Sequence, residues 1–139
     1  MTVEHAYPPN IEEIRRALSP SKDAIFTWGS IVFNPSGQEI PEDVMYHESI
    51  HEKQQSLWAS PGIWWTKYLL DPAFRLEQEL EAYAAQYAFI KRYYPTQAHK
   101  PSLFEMAANL SGSLYALGLS HTKAESMIRL KSNLQNHHG

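Results

Sequence analysis

Along most of this chain the apolar positions recur at helical spacing. Residues 10 to 18 (NIEEIRRAL) open on Asn10 with acids in the first turn and stop at Ser19-Pro20, which predicts a short helix. The stretch from Ala24 to Asn34 (AIFTWGSIVFN) differs. It is rich in β-branched and aromatic residues and ends in Pro35-Ser36-Gly37, so it predicts a strand or tight hairpin near Gly29. It is the one convincing β segment. Pro41 suits a first helical position and is followed by Glu42 and Asp43, which predicts a helix to about Trp58. Ser60-Pro61-Gly62 breaks it, and IWWTKYLL follows as a shorter aromatic helix. Asp71-Pro72 then caps a long helix, PAFRLEQELEAYAAQYAFIKRYY, which Pro95 ends. SLFEMAANLSGSLYALGL predicts a further helix, weakened by Gly112. A Thr122-x-x-Glu125 capping box predicts a last one through MIRLKSNL, with QNHHG as a frayed tail. No repeat or linker divides the chain. Residues 1–139 are therefore expected to form one domain of predominantly helical α+β class, a small N-terminal strand or hairpin packed on a helical bundle.

With 43% hydrophobic residues, a chain of 139 can bury a substantial core. Twelve Lys and Arg against fifteen Asp and Glu give a net charge of −3, so no overall positive field attracts a phosphate backbone, and no nucleic-acid partner is expected. The chain has no cysteine, which removes disulfides and thiolate ligands. Any zinc must be held by His and carboxylate. The N-terminus has acids and prolines where a signal peptide needs a basic start and an apolar run, and no apolar stretch approaches the roughly 18 residues of a bilayer span. A soluble, cytoplasmic protein without membrane contact is the expectation.

The candidate chemistry lies in His47-Glu48-Ser49-Ile50-His51. On a helix, a separation of four returns the second imidazole to nearly the face of the first, so both can hold one ion. Glu48 is about 100° around from His47, displaced from the ligand face yet able to reach a water on the metal, which is the place for a general base. The alternative is a solvated amphipathic helix whose His and Glu do no chemistry. A third ligand decides between them. On the long helix, Leu76, Leu80, Tyr83, Tyr87 and Ile90 form a helix-period apolar stripe. Glu79 lies at the edge of that stripe, whereas Glu77 and Glu81 point away. A buried carboxylate is costly unless paired or metal-bound, so an inward Glu79 has a physical reason to be a ligand. A salt bridge to Arg75 or Arg92 is the alternative.

His47-Glu48-x-x-His51, followed by Glu79-Leu80-Glu81-Ala82, resembles the gluzincin metallopeptidases, whose second signature is a Glu-x-x-Ala-Asp-like segment. The likeness is to small bacterial and phage-encoded members reading His-Glu-x-x-His-x-x-Gln-Gln; here that run is His47 to Gln55, with Tyr83, Ala84 and Gln86 continuing the second segment. It covers roughly residues 44 to 90. The resemblance implies one zinc ion per chain held by His47, His51 and Glu79, with Glu48 as catalytic base and a peptide or protein as substrate. It also implies that the strand from Ile25 to Phe33 borders the cleft and pairs with an extended substrate. Tyr83 departs from the pattern, standing where many relatives have an Asp that orients a ligand histidine. Glu52 or a backbone carbonyl is a candidate for that orienting role, and His121, Tyr115 and Tyr83 are candidates to steady an oxyanion.

Two rivals to peptide hydrolysis follow from the residues. One is a zinc site that only staples helices, closed by a fourth protein ligand. The other is a helical interaction or DNA-binding domain built on the two C-terminal helices, whose basic face of Lys123, Arg129 and Lys131 is weak. Trp28, Trp58, Trp64 and Trp65 are read as core rather than as the lining of a hydrophobic specificity pocket, and His137 and His138 as a terminal pair that binds metal at most adventitiously.

Overall fold

The computed structural model describes residues 1–138, with side chains through residue 135. Among these residues the helices are α1 (Ile11–Ala17), α2 (Glu42–Ser56), α3 (Pro61–Leu70), α4 (Pro72–Tyr93), α5 (His99–Leu110) and α6 (His121–His138), and the strands are β1 (Thr2–Glu4), β2 (Phe26–Trp28) and β3 (Ile31–Phe33). The class is α+β and predominantly helical, as the hydrophobic pattern predicts. None of these helices is long and apolar enough to cross a membrane.

The expected hairpin is present. β2 and β3 pair antiparallel, with Trp28 opposite Ile31, and Gly29 takes φ of 61° in the turn, a conformation a side chain would resist. β1 joins β3 in parallel, giving the order β1-β3-β2. It escaped the sequence pattern because its three residues are all exposed and show no alternation.

Capping follows sequence in the middle of the chain. Ser60 accepts from the Ile63 N–H ahead of Pro61, and Asp71 accepts from the Ala73 and Phe74 N–H groups ahead of Pro72. At the ends it differs. The Asn10 side chain makes no cap bond, and α6 starts one residue before Thr122, with Ser120 Oγ accepting from the Lys123 N–H. The Thr122 capping box is therefore not formed. α5 begins at His99 and ends at Leu110, so the expected extension through Leu119 is a turn, in which Ala116 and Gly118 have positive φ. α6 stays helical to His138, which corrects the frayed tail expected there; Gly139 lies outside the described residues.

α4 runs through the middle, against α2 and α3 on one side and α5 and α6 on the other. Tyr83, Tyr87 and Ile90 pack with Leu103, Leu110 and Ile128 into one core. A second core, under the hairpin, joins Ile14, Phe26 and Phe33 to Trp64, Trp65 and Tyr68 of α3. Between α2 and α4 the apolar contact is small: Ile50, Ala82 and Ala85. α2 buries His47, Glu48, Ile50, His51, Gln54 and Gln55, five of them polar. Desolvating so many polar groups costs free energy unless each finds a partner.

Candidate metal centre

The buried polar face of α2 meets the inward face of α4, and three ligand-type atoms converge there. His47 Nε2 and His51 Nε2 lie 3.1 Å apart, and Glu79 Oε1 is 3.2 Å from the first and 3.3 Å from the second. All three residues are buried. Glu79 is placed by the alanine contact: it precedes Ala82 by three positions and Gln86 by seven, so it faces α2 rather than the tyrosine core. Glu77 and Glu81 are exposed.

Hydrogen bonds behind the histidines fix what their Nε2 atoms present. The Gln86 amide nitrogen donates to Asp43 Oδ2 (2.8 Å), so its oxygen is the atom turned to His47 Nδ1 at 3.0 Å. The Gln54 amide nitrogen donates to Gln78 O (3.0 Å) and Glu81 Oε1 (2.9 Å), which turns its oxygen to His51 Nδ1 at 2.8 Å. An amide oxygen only accepts, so both rings carry their proton on Nδ1 and direct Nε2 at the shared point. The orienting groups are thus Gln54 and Gln86, each backed by a carboxylate, and not Glu52. Behind His47 the carboxylate is that of Asp43, acting through Gln86, while the Tyr83 ring packs edge-on against His47.

Two nitrogen lone pairs and a carboxylate oxygen within 3.3 Å of one another repel unless a cation stands among them. A proton can play that part: burial alone would lower the His51 pKa, but the adjacent Glu79 carboxylate outweighs it and raises the value to about 9. Glu79 responds in reverse. Burial would raise its pKa, and the two histidines hold it well below the usual carboxylate range. The same donor set can hold a metal ion. The Tyr68 hydroxyl donates to Glu79 Oε2, leaving Oε1 directed at the histidines. Arg75 is not a partner of Glu79. Its guanidinium donates instead to the backbone oxygens of Tyr115, at 2.7 Å, and Tyr68, at 2.7 Å.

Glu48 stands beside this cluster. Its Oε2 is 3.9 Å from His47 Nε2, and its Oε1 accepts from Thr27 Oγ1 at 2.7 Å. Thr27 is itself pinned. Its carbonyl oxygen accepts from Gln55 Nε2 (2.8 Å) and Trp65 Nε1 (2.9 Å), and Gln55 Oε1 accepts from the Gly29 N–H (2.7 Å). The strand does border the site, since Ile25, Phe26 and Thr27 line it. The expected pairing with an extended peptide is closed at Thr27, because both lone pairs of its oxygen are taken.

Two spaces that share lining residues reach the cluster. An inner chamber of about 50 Å³ touches all three ligand residues and Glu48, with Trp64, Trp65 and Tyr68 among its walls. An outer cleft of about 420 Å³, between the Ser19–Ile25 segment and the turn after α5, also reaches His47 and Glu48. Tyr115 borders both and shares a hydrogen bond of 2.8 Å with the Tyr83 hydroxyl. Burial, and then the nearby Glu79, raise the pKa of both tyrosines, so each stays a neutral donor. His121 lies elsewhere, against the Phe104 backbone oxygen.

The structure brings together His47, Glu48, His51 and Glu79. It adds Thr27, Gln54, Tyr68 and Gln86, to which the sequence reading gave no role. Comparison of the chain with protein-family models, with curated proteins and with solved structures yields no match.

Proposed function

We propose that this protein is a zinc-dependent peptidase of gluzincin type, with His47, His51 and Glu79 as ligands and Glu48 as general base. The observation that carries this reading is the triangle of ligand atoms, 3.1 to 3.3 Å on a side, with Glu48 and a solvent-reachable cleft next to it. Tetrahedral zinc with bonds of roughly 2.0–2.1 Å spaces its ligands about 3.3 Å apart, so the triangle has the dimensions of one face of such a site. Among the described residues no fourth His, Cys, Asp or Glu joins that group, which favours a catalytic over a stapling role. When bound, zinc supplies Lewis acidity, acidifying water and polarising an amide carbonyl.

The chain's own residues supply the rest. Glu48, held through Oε1 by Thr27, keeps Oε2 free to take a proton from the attacking water and pass it to the leaving amine. Gln54 and Gln86 hold both imidazoles in the tautomer that leaves Nε2 available. Tyr115, neutral and at the junction of the two spaces, is the donor best placed to steady negative charge on the carbonyl oxygen.

The test uses the zinc-loaded protein and a mixed peptide library read by mass spectrometry. Wild type is expected to cleave. Glu48→Gln should keep its zinc and its melting temperature while losing about 10²-fold or more of the rate. Equal cleavage by the two proteins would remove Glu48 from the mechanism, and a zinc-loaded wild type that cleaves nothing would leave the stapling role in its place.

A further inference from the structure

The two spaces at the site are very unequal, and the aromatic walls of the smaller are held by hydrogen bonds. Trp64 Nε1 donates to Gln78 Oε1 at 2.8 Å, Trp65 Nε1 donates to Thr27 O at 2.9 Å, and the Tyr68 hydroxyl donates to Glu79. Each aromatic wall contributed by α3 is therefore locked by a hydrogen bond as well as by packing. Swinging any of them aside would strand a buried donor. Ile14 of α1 and Leu18, the residue that follows that helix, complete the apolar side, and Ile14 is 1% exposed.

Volume then sets what can enter. A water needs about 10–15 Å³ by this measure, so a chamber of about 50 Å³ holds three to five such units. A metal ion and one water use about half of it. What remains takes roughly two carbon atoms, on the scale of a methyl or ethyl group. Apart from the site's own His47, Glu48, His51 and Glu79, the lining carries no charged side chain. A charged or aromatic substituent is excluded, the first by desolvation and the second by size.

Resting on the peptidase reading above, we infer that the chamber is a size filter. One of the two residues flanking the scissile bond must be small and uncharged, as Gly, Ala or Ser is, while the rest of the peptide lies in the outer cleft of about 420 Å³. Leu18 and Trp65 are then specificity-determining through the volume they occupy.

Two measurements test this on the zinc-loaded protein. The first follows the indole N–H resonances of Trp64 and Trp65 during titration with acetate, propionate and phenylacetate, with Trp58 as a control away from the chamber. With its carboxylate held by the zinc, each acid offers only its tail to the chamber, so the methyl of acetate and the ethyl of propionate should move the Trp64 and Trp65 signals, and the benzyl of phenylacetate should not. In Leu18→Ala, checked for an intact fold by the remaining resonances, phenylacetate should become effective. Equal shifts with phenylacetate in wild type, or no shift with any of the acids, would overturn the filter. The second reads the cleaved bonds of a peptide library. Wild type should require a small residue on one side of the bond, and Leu18→Ala should relax the preference for Ala over Leu there by roughly tenfold. Cleavage beside bulky residues on both sides would sink the filter and leave the peptidase standing. Absence of any cleavage with normal acetate shifts would sink the peptidase instead.

Discussion

Thr27 Oγ1 donates to Glu48 Oε1 across 2.7 Å, joining a strand at the edge of the sheet to the helix that carries the histidines. The bond assigns the two carboxylate oxygens different roles: one is tied to the strand, and the other is turned toward the ligands. Gln55 and Trp65 hold the Thr27 backbone in turn, so the carboxylate is positioned by three elements.

A first prediction follows for Thr27, which is buried and close in shape to valine. Thr27→Val removes the donor without opening a cavity, so zinc content should stay near wild type, while the buried Glu48 Oε1 left without its partner should lower the melting temperature by a few degrees. A base freed to rotate should lower kcat by roughly tenfold or more, with KM little changed. Thr27→Ser, which keeps the hydroxyl, should restore most of the rate. If the Val variant turns over as fast as wild type, the bond has no part in positioning Glu48.

The candidate ligand set is legible in sequence because it depends on helical phase, which spacing reveals. His47 and His51 share a face at a separation of four, and Glu79 is the one glutamate of its helix segment that turns inward. The apolar stripe explains the inward turn of Glu79 only in part. Leu76 and Leu80 of the predicted stripe are partly exposed, and Glu79 faces α2 along a different line, with Ala82 and Gln86. α4 buries two faces, and a single stripe describes one of them. The orienting groups were not legible. Gln54 and Gln86 earn their roles from Asp43, Gln78 and Glu81, which lie 24 or more positions from the glutamine each contacts. Thr27 meets Glu48 across 21 positions, and no local pattern encodes that distance.

The metal-free protein should show a distinctive dependence of stability on pH. His51 has its pKa raised from 6.5 to about 9 in the fold, so its contribution is complete below 6.5 and disappears as pH climbs to about 9. Glu79 is shifted down from 4.5, so its contribution is complete above 4.5 and fades as pH falls below it. Stability without metal should thus be greatest between about 4.5 and 6.5 and decline toward about 9. A metal on Nε2 takes the place of the proton, so the zinc-loaded protein should lack the alkaline decline. Melting curves at the two ends of the range from 6.5 to 9, with and without chelator, check this. A metal-free protein that melts at one temperature throughout would contradict the coupling of His51 to Glu79.

The carboxylates of α4 give the most discriminating prediction about the metal. Glu79→Gln leaves shape and one acceptor oxygen but removes the charge that neutralises the ion, so it should release most of the zinc on dialysis. Glu77→Gln should retain wild-type zinc, since Glu77 is exposed and residues 77 and 79 are about 200° apart around the helix. Glu81 falls between them. It is exposed yet accepts from Gln54 Nε2, the amide whose oxygen orients His51. A glutamine there can still accept, and Gln78 O still holds Gln54 from the other side, so the loss of affinity should stay below about tenfold. The expected order of zinc retention is therefore Glu77→Gln, then Glu81→Gln, then Glu79→Gln far behind, measured as zinc per chain after the same dialysis. Should Glu81→Gln lose the ion while Glu79→Gln keeps it, the ligand would be the exposed carboxylate, and the buried triangle would have to be explained by the proton on His51 alone.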